Sequence, residues 1–587
     1  MKYRELVEVY GELEKTSKRL EKTYIISELL KKTHIDDLGA VVLLLKGRVF
    51  PQWDESKVGV ASRLVIKAIN VATGSSPEKI EKEWKKTGDL GTVAEHLTKS
   101  KTQATLFSTK LTVKKVLDNI KSLTKAEGAG AVDRKVKLIA ELLSSAKPKE
   151  AKYIIRTILE DLRVGVGDGS LRDAIVWAYF GDKLKIKYNK EKNDIEISAE
   201  ERQTYNNYVG AVQEAYDLKN DFAEVAKIAK KGKLKSLKSV SLEVGKPIKV
   251  MLFQKAEDME DAFERVGRPA ALEYKYDGFR LQIHRTGDEI KLFTRRLDNV
   301  SRQFPDVVKL AKSHIKSKNY ILDAEIIGID PKTKQWLPFQ AVSQRIKRKY
   351  EIERMTKDIP VMVNIFDIMN LNNENLLKKP FKERRAALKK ITTEVKGKLE
   401  LAKQLVTSSK EQAEKFYNEA LSKGNEGIMA KNLEGIYKPG SRVGYGVKVK
   451  PVMETLDLVI VAADWGEGKR ANWLSSFTIA CRKGDQLLEI GKVGTGFKEK
   501  EEEGVSFAEL TRMLKPLIIE EKGKHVTVKP KIVIELNYEE IQKSPTYSSG
   551  FALRFPRLLR LRVDKPVSEI STLAQVKRYY ETQKHRK

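Results

Sequence analysis

One cysteine, Cys481, and six histidines are all that 587 residues offer for a cysteine–histidine metal site. A lone thiol cannot close an intrachain disulfide, and it excludes a zinc site built from cysteines. The histidines, at positions 34, 96, 284, 314, 525 and 585, are scattered and lack ligand spacing. Long apolar runs are missing as well. The longest near the start, 41–45, is far too short to span a bilayer. The charged opening Met1-Lys-Tyr-Arg-Glu5 is amphipathic and does not read as a signal peptide. Acidic residues are in deficit, with 81 Asp and Glu against 112 Lys and Arg. These absences predict a soluble protein of a reducing, cytoplasmic compartment with no membrane partner.

What is present is positive charge, a formal +31. It predicts a polyanionic partner, most simply nucleic acid, and a nucleoid-associated location. Charged residues make up 33% of the chain, which would also fit a heat-adapted surface, but that adaptation alone keeps the two signs nearer balance. The length suggests two to four domains, and 41% hydrophobic residues suffice for ordinary cores.

Residues 1–240 read as a helical domain, with apolar residues at three- and four-residue spacing in 3–20, 58–72, 132–143 and 151–162. Gly165, Gly167 and Gly169 alternate ahead of a helix that Ser170 would cap. A run of backbone N–H groups at a helix start suits a phosphate, and Arg163 and Arg172 flank it, so a DNA backbone contact is expected there. A plain helix–helix turn fits the same residues. Residues 241–450 read as an α+β domain, with β structure from about 246 and strands at 271–276, 280–285, 289–294, 320–329, 361–369, 426–431 and 446–450. Residues 451–587 carry short strands (456–463, 477–482, 486–493, 531–537) separated by glycines. They suit a small closed β-barrel of the OB-fold type, followed by a basic segment, 554–565, and a last helix, 573–583.

The chain is organised around Ala271-Leu-Glu-Tyr-Lys-Tyr-Asp-Gly-Phe-Arg280. Read with period two, Leu272, Tyr274 and Tyr276 share one face of a strand. Glu273, Lys275 and Asp277 share the other, and Gly278 allows a sharp turn. A half-buried strand with ion pairs on its wet face fits this pattern. So does a nucleophilic lysine, provided that a pocket or a second cation favours the neutral amine over a form whose pKa is about 10.4.

The string Lys275-Tyr-Asp-Gly278 followed by Arg280 resembles the first motif of the covalent nucleotidyltransferases: DNA ligases, RNA ligases and mRNA-capping enzymes. Five more strings follow in family order. Tyr320–Ile327 contains Glu325 in an apolar run, and Asn364–Ile368 contains Phe366. Glu426-Gly-Ile-Met-Ala-Lys431 comes next, then Tyr437–Arg442 with Val447-Lys-Val-Lys450, then Arg554-Phe-Pro-Arg557 through Lys565. The helical N-terminal region, including Gly47–Trp53 and Asp161–Arg172, resembles that of archaeal and eukaryotic ATP-dependent DNA ligases. The size resembles the archaeal replicative type. Gly444-Tyr445-Gly446 stands where many relatives have a tryptophan, which leaves the packing there open. Gln103, Leu106 and Phe107 resemble a sliding-clamp-binding peptide, although a loop anchored by one phenylalanine fits them too.

The resemblance implies an enzyme that seals nicks in duplex DNA, in replication, repair and recombination, releasing AMP and pyrophosphate. Lys275 would carry AMP. Glu273 and Phe366 would contact the adenosine, and Arg280, Arg295, Glu325, Arg442, Lys448 and Lys450 would complete the nucleotide site. Glu325 and Glu426 would hold Mg²⁺, or Mn²⁺ in its place, and Arg554, Arg557 and Lys565 on the barrel would orient the pyrophosphate. The partners implied are nicked double-stranded DNA and a sliding clamp, with the chain itself a monomer. Two other classes share features of the sequence: an RNA ligase or capping-type transferase, and a DNA-binding scaffold without catalysis. A scaffold has no need of Lys275, Glu325, Glu426 and Lys448 together.

Overall fold

The structure is a computed structural model. It describes residues 1–583 apart from 55, 57, 100–109, 127, 129, 233, 338, 349, 452–453, 467–469, 471 and 500, and it leaves out the side chains of 340, 347, 442 and 503. The clamp-like stretch around Gln103, Leu106 and Phe107 therefore lies outside the described residues, as do 584–587. The chain divides into two compact units. One is Met1–Leu252 with Gly278–Ala402 and Glu434–Val443; the other is Phe253–Asp277 with Lys403–Leu433 and Gly444–Lys587.

The first unit begins with helices packed around Tyr3, Leu6, Tyr10, Val41, Ile154 and Ile175. The expected helix over 3–20 is in fact two, Tyr3–Lys15 and Arg19–Lys32. Thr16 turns extended between them, where its hydroxyl donates to Glu21 and accepts from the Lys18 N–H. That local bonding offers the backbone an alternative to helix, which periodicity cannot reveal. The helical region is also interrupted by a short hairpin, Lys187–Asn189 with Asp194–Glu196.

Later in the same unit, Phe279–Thr286, Glu289–Thr294, Asn319–Ile329 and Val361–Leu371 form the antiparallel centre of a sheet. Phe279, Leu281, Ile283, Leu322, Ala324 and Ile326 point to one face. There they pack with Val307 and Ala311 of helix Pro305–His314 and Leu388 of helix Phe381–Ile391. Arg280, Gln282 and His284 alternate onto the other face. That face explains why 246–251 forms no strand. Its backbone bonds to side chains instead: Gln282 brackets Ile248 with bonds of 3.1 and 2.6 Å, and the Gly245 N–H donates to His284 Nδ1 at 3.1 Å. Burial pushes the His284 imidazole down to about 3, with the Lys291 charge adding to it, so the ring is neutral and free to accept.

The second unit holds a five-stranded sheet in which Gln404–Thr407, Ala270–Tyr274, Ile428–Asn432 and Arg442–Val449 lie side by side. Ala270–Tyr274 is buried along its whole length: on one face Tyr274 packs against Phe416 of helix Lys410–Ser422, on the other Glu273 is covered by Lys431 and Gln404, and the wet face expected of it does not exist. Gly427 precedes Ile428 with φ +132°, and a Cβ there would stand 2.1 Å from the Val449 carbonyl oxygen, so only glycine fits. At Gly446 a Cβ would meet the Phe253 ring at 2.6 Å. Phe253 thus fills the space beside the strand that the missing tryptophan left open.

The same unit contains a strand-rich domain. Leu456–Trp465, Leu474–Lys483 and Gln486–Val493 pair in sequence, and Leu456–Trp465 also pairs with His525–Val528 and Val533–Asn537. Arg557–Leu561 adds to Val533–Asn537, and the Leu558 N–H returns to the Thr495 carbonyl at 2.9 Å, which curls the sheet round on itself. Inside lie Leu458, Ile460, Phe477, Ile479, Phe507 and Ile534. Cys481 is buried there as well, and burial pushes its thiol up to about 11, so it packs and does not react. Of the basic segment expected over 554–565, Arg557–Leu561 is part of this sheet, while Arg554 ends a second hairpin, Glu540–Lys543 with Phe551–Arg554.

Candidate active site

Lys275 follows directly on the buried strand Ala270–Tyr274 and does not sit in mid-strand. Its backbone is nonetheless fixed. Its N–H donates to the Gly427 carbonyl and its own carbonyl accepts from the Glu426 N–H, both at 2.9 Å. The period of two then decides the side chains. Gln404, Glu273, Met429 and Lys448 form one cross-strand row, so they share a face. Lys275 and Lys450, each two residues further along, continue that face.

On it, one carboxylate holds two ammonium groups. Glu426 Oε2 lies 2.7 Å from Lys275 Nζ and 2.5 Å from Lys450 Nζ, with all three side chains largely buried. Burial alone would raise the Glu426 carboxyl, but the charges of Lys275 and Lys450 outweigh it and hold the group well below the usual carboxylate range. Burial pushes the Lys448 amine down, and the like charges of Lys450 and Lys275 push it further. Three lysines against Glu426, with Glu539 3.8 Å from Lys450, still leave an excess of positive charge, which suits an anion such as phosphate. Glu273 is 2% exposed. It is held by Lys431 at 2.6 Å and by Gln404 at 2.9 Å, two partners that the sequence reading missed although Lys431 ends the same motif as Glu426.

The other unit carries a second cluster. Arg280 makes a bidentate pair with Asp323, at 2.9 and 2.5 Å, and donates to the Met251 carbonyl at 2.7 Å and the Tyr437 hydroxyl at 3.1 Å. Tyr437 in turn donates to Asp323 at 2.9 Å. The guanidinium lies 5.3 Å from the Phe366 ring centre. The buried carboxylate of the apolar run is therefore Asp323, with no exposed surface, and not Glu325, which is partly exposed. Arg280 and Tyr437 account for the exchange, since they give Asp323 the partners that burial demands. The signal was available: Asp323 precedes Glu325 by two residues, hence on the same face. Glu325 stands directly opposite Arg280 in the sheet. Arg295 is exposed in the turn that follows Glu289–Thr294, and the side chain of Arg442 is not described.

On the strand-rich domain Arg554 pairs with Glu540 at 3.2 Å, Arg557 is exposed, and Lys565 shares Asp457 with Arg562 at 2.7 and 2.9 Å. In the helical region the expected phosphate turn is built differently from the sequence reading. The helix runs Asp168–Phe180 with Gly167 at its N-cap, so Ser170 lies inside the first turn. Asp168 places a carboxylate at that helix start, where it meets Lys46 at 2.6 Å, Tyr216 at 3.2 Å and Lys249 at 3.4 Å. The position that the helix dipole favours for an anion is thus already partly taken. Gly165, at φ +66°, accepts with Val164 from Lys22, while Gly169 lies near Arg19. Arg163 pairs with Asp161 and Arg172 with Asp173, both at 2.7 Å. Among the described residues no three His, Cys, Asp or Glu side chains converge on a metal position, and no helix is long and apolar enough to cross a membrane.

Comparison with known proteins places this geometry. Residues 250–450 match the family model described as "ATP dependent DNA ligase domain". Residues 2–176 match "DNA ligase N terminus", and residues 470–565 match "ATP dependent DNA ligase C terminal region". A DNA ligase of Nanoarchaeum equitans is 47% identical over 100% of this chain and 99% of its own length. One of Thermococcus onnurineus is 43% identical over 99% and 98%. A solved structure named Pmar-Lig_Pre shares the fold at TM-score 0.55 and 14% identity, covering 95% of this chain and 99% of that one. These matches cover the chain from the helical region to the strand-rich domain: the chain belongs to the ATP-dependent DNA ligase family, whose members seal nicks in DNA.

Proposed function

We propose that Lys275 is the residue that carries AMP, and that Glu426, Lys448 and Lys450 make the phosphate site around it. The observation that supports this is the Lys275–Glu426–Lys450 arrangement, two ammonium groups on one largely buried carboxylate. Lys275 Nζ loses a proton and attacks the α-phosphorus of ATP; the N–P bond forms as the bond to the β-phosphate oxygen breaks and pyrophosphate leaves. The 5′-phosphate at a nick then takes the AMP, breaking the N–P bond. The 3′-hydroxyl attacks that phosphate, closes the strand and releases AMP. An ordinary lysine is neutral in about one molecule in a thousand at pH 7.5, a cost of about 4 kcal/mol, so much of the site's work lies in charge placement.

Glu273 and Phe366 contact the adenosine in this reading, and Arg280, Arg295, Arg442 and Glu325 complete the nucleotide site. Arg554, Arg557 and Lys565 orient the pyrophosphate. Mg²⁺ takes one or two carboxylates together with substrate phosphates, and Glu426 and Glu325, each a single donor outside any protein cage, fit that kind of site. When bound, the ion would neutralise charge on the phosphates. Lys275→Ala and Lys275→Arg should both abolish the added mass of one AMP on the purified protein, because neither side chain is a nucleophile. An adduct at the normal yield in either variant would overturn the assignment.

Glu426→Gln should lower stability at neutral pH by about 1–3 kcal/mol, since it removes the counter-charge of two lysines. The folded value of this carboxyl is depressed, so its contribution is fully present above the ordinary carboxylate range near about 4.3 and is lost as pH falls below it. Denaturation curves of the two proteins should converge in acid; a constant gap down to low pH would show that the pair contributes nothing.

DNA is held through phosphates in this reading, by a chain of charge +31 that includes Arg163, Arg172 and the 165–169 turn. Nick affinity should fall steeply with salt, by about 0.9 in log–log slope per phosphate contacted, and Arg163→Ala with Arg172→Ala should flatten that slope. An unchanged slope would remove both residues from the interface. A sliding clamp is the second partner proposed, through Gln103, Leu106 and Phe107. Phe107→Ala should weaken clamp binding and leave clamp-free joining of short nicked duplexes unchanged, and loss of clamp-free joining would show the segment to be structural.

A further inference from the structure

Glu540 and Arg554 are direct cross-strand partners in the hairpin Glu540–Lys543 with Phe551–Arg554. Their side chains meet, Arg554 Nη1 donating to Glu540 Oε2 at 3.2 Å, and the same oxygen accepts from Gln542 Nε2 at 3.0 Å. Glu540 is 4% exposed. A carboxylate buried that deeply is costly unless paired, and the barrel core does not need it, since its hairpin neighbours Ile541, Phe551 and Leu553 already supply apolar packing. The backbone holds the same register: the Glu539 N–H donates to the Arg554 carbonyl at 2.9 Å, and the chain bends at once at Phe555, whose φ of +50° is unusual for a bulky residue.

The pair opens onto a cavity lined by Glu426, Lys450, Glu539, Glu540 and Arg554. Across it, Glu539 reaches Lys450 at 3.8 Å, and Lys450 holds Glu426. One dipeptide, Glu539-Glu540, therefore addresses two cations: Lys450 beside the nucleophile and Arg554 on the barrel. An arginine on a long flexible stem delivers its donors well only when something fixes its plane, and a cross-strand carboxylate does that.

We infer that Glu540 is a positioning residue for the first step of the reaction: it holds the Arg554 guanidinium toward this cavity so that it meets the leaving pyrophosphate. This rests on the reading of Arg554 given above. Adenylation is the step that needs pyrophosphate oriented, whereas joining a nick whose 5′-phosphate already carries AMP does not.

The experiment uses the full chain and two single-turnover assays, formation of protein–AMP from ATP and joining of a pre-adenylated nicked duplex without ATP. Glu540→Gln keeps the shape and removes the charge. It should slow the first assay by about tenfold, the loss of one charge-assisted bond, and leave the second within about twofold. Glu540→Asp should fall between Glu540→Gln and the parent. Combining Glu540→Gln with Arg554→Ala should cost no more than Arg554→Ala alone, because the two act as one unit. Equal loss in both assays, together with a lower melting temperature, would show a merely structural residue and overturn the inference. A normal Glu540→Gln beside a slow Arg554→Ala would overturn it while leaving the reading of Arg554 intact. A normal Arg554→Ala would overturn that reading, and the inference with it.

Discussion

The second unit depends on one carboxylate held between two ammonium groups. Glu426 is placed by its own backbone, which bonds to Lys275, and by Gly427, whose conformation and contact with Val449 admit no side chain. Its carboxylate then fixes Lys275 and Lys450 at hydrogen-bond distance. Two lysines on one face of a sheet would otherwise repel each other and turn to solvent. Glu426 lets them share a largely buried position, and Lys448, its charge weakened by burial and by both neighbours, completes a surface that favours phosphate.

The first unit solves a related problem with a guanidinium. Arg280 directs its donors to Asp323, Met251 and Tyr437, and Tyr437 returns a bond to Asp323. Breaking such a buried network leaves charge without a partner, which is far more costly than the net worth of the intact pair. Arg280 and Glu325, which stand opposite each other on this sheet, are therefore carried by a polar face over an apolar one. Placement on strands of a packed sheet suits a reaction whose barrier falls mainly through positioning.

Regular elements were the most legible part of the chain. Glu289–Thr294 and Gln486–Val493 have the bounds that alternation predicts, and Asn319–Ile329 differs by one residue. Failures came where side chains replace the backbone as bonding partner. Thr16 splits a helix, and Gln282 and His284 bond the backbone at Ile248 and Gly245, so β structure begins at Leu252 and not near 246. Burial was the harder quantity. A strand with Glu273 and Lys275 on one face reads as half-wet, yet Ala270–Tyr274 is buried, because Phe416 and Lys431, both far away in sequence, cover its two faces.

The sequence by itself determined the chemistry that is possible. Lys275 with its neighbours and six motif strings in order carry the resemblance to the DNA ligases, and an excess of positive charge predicts a polyanionic partner, because these depend on residue type and local spacing. Only the tertiary structure decided which charges meet. That Glu426 serves Lys275 and Lys450, that Asp323 and not Glu325 is the buried acid, that Lys431 holds Glu273, and that Asp168 occupies the helix start meant for a phosphate all follow from strand register and helix packing. Coulomb energies depend on distances of a few ångströms between residues tens to hundreds of positions apart, and no local pattern encodes those distances.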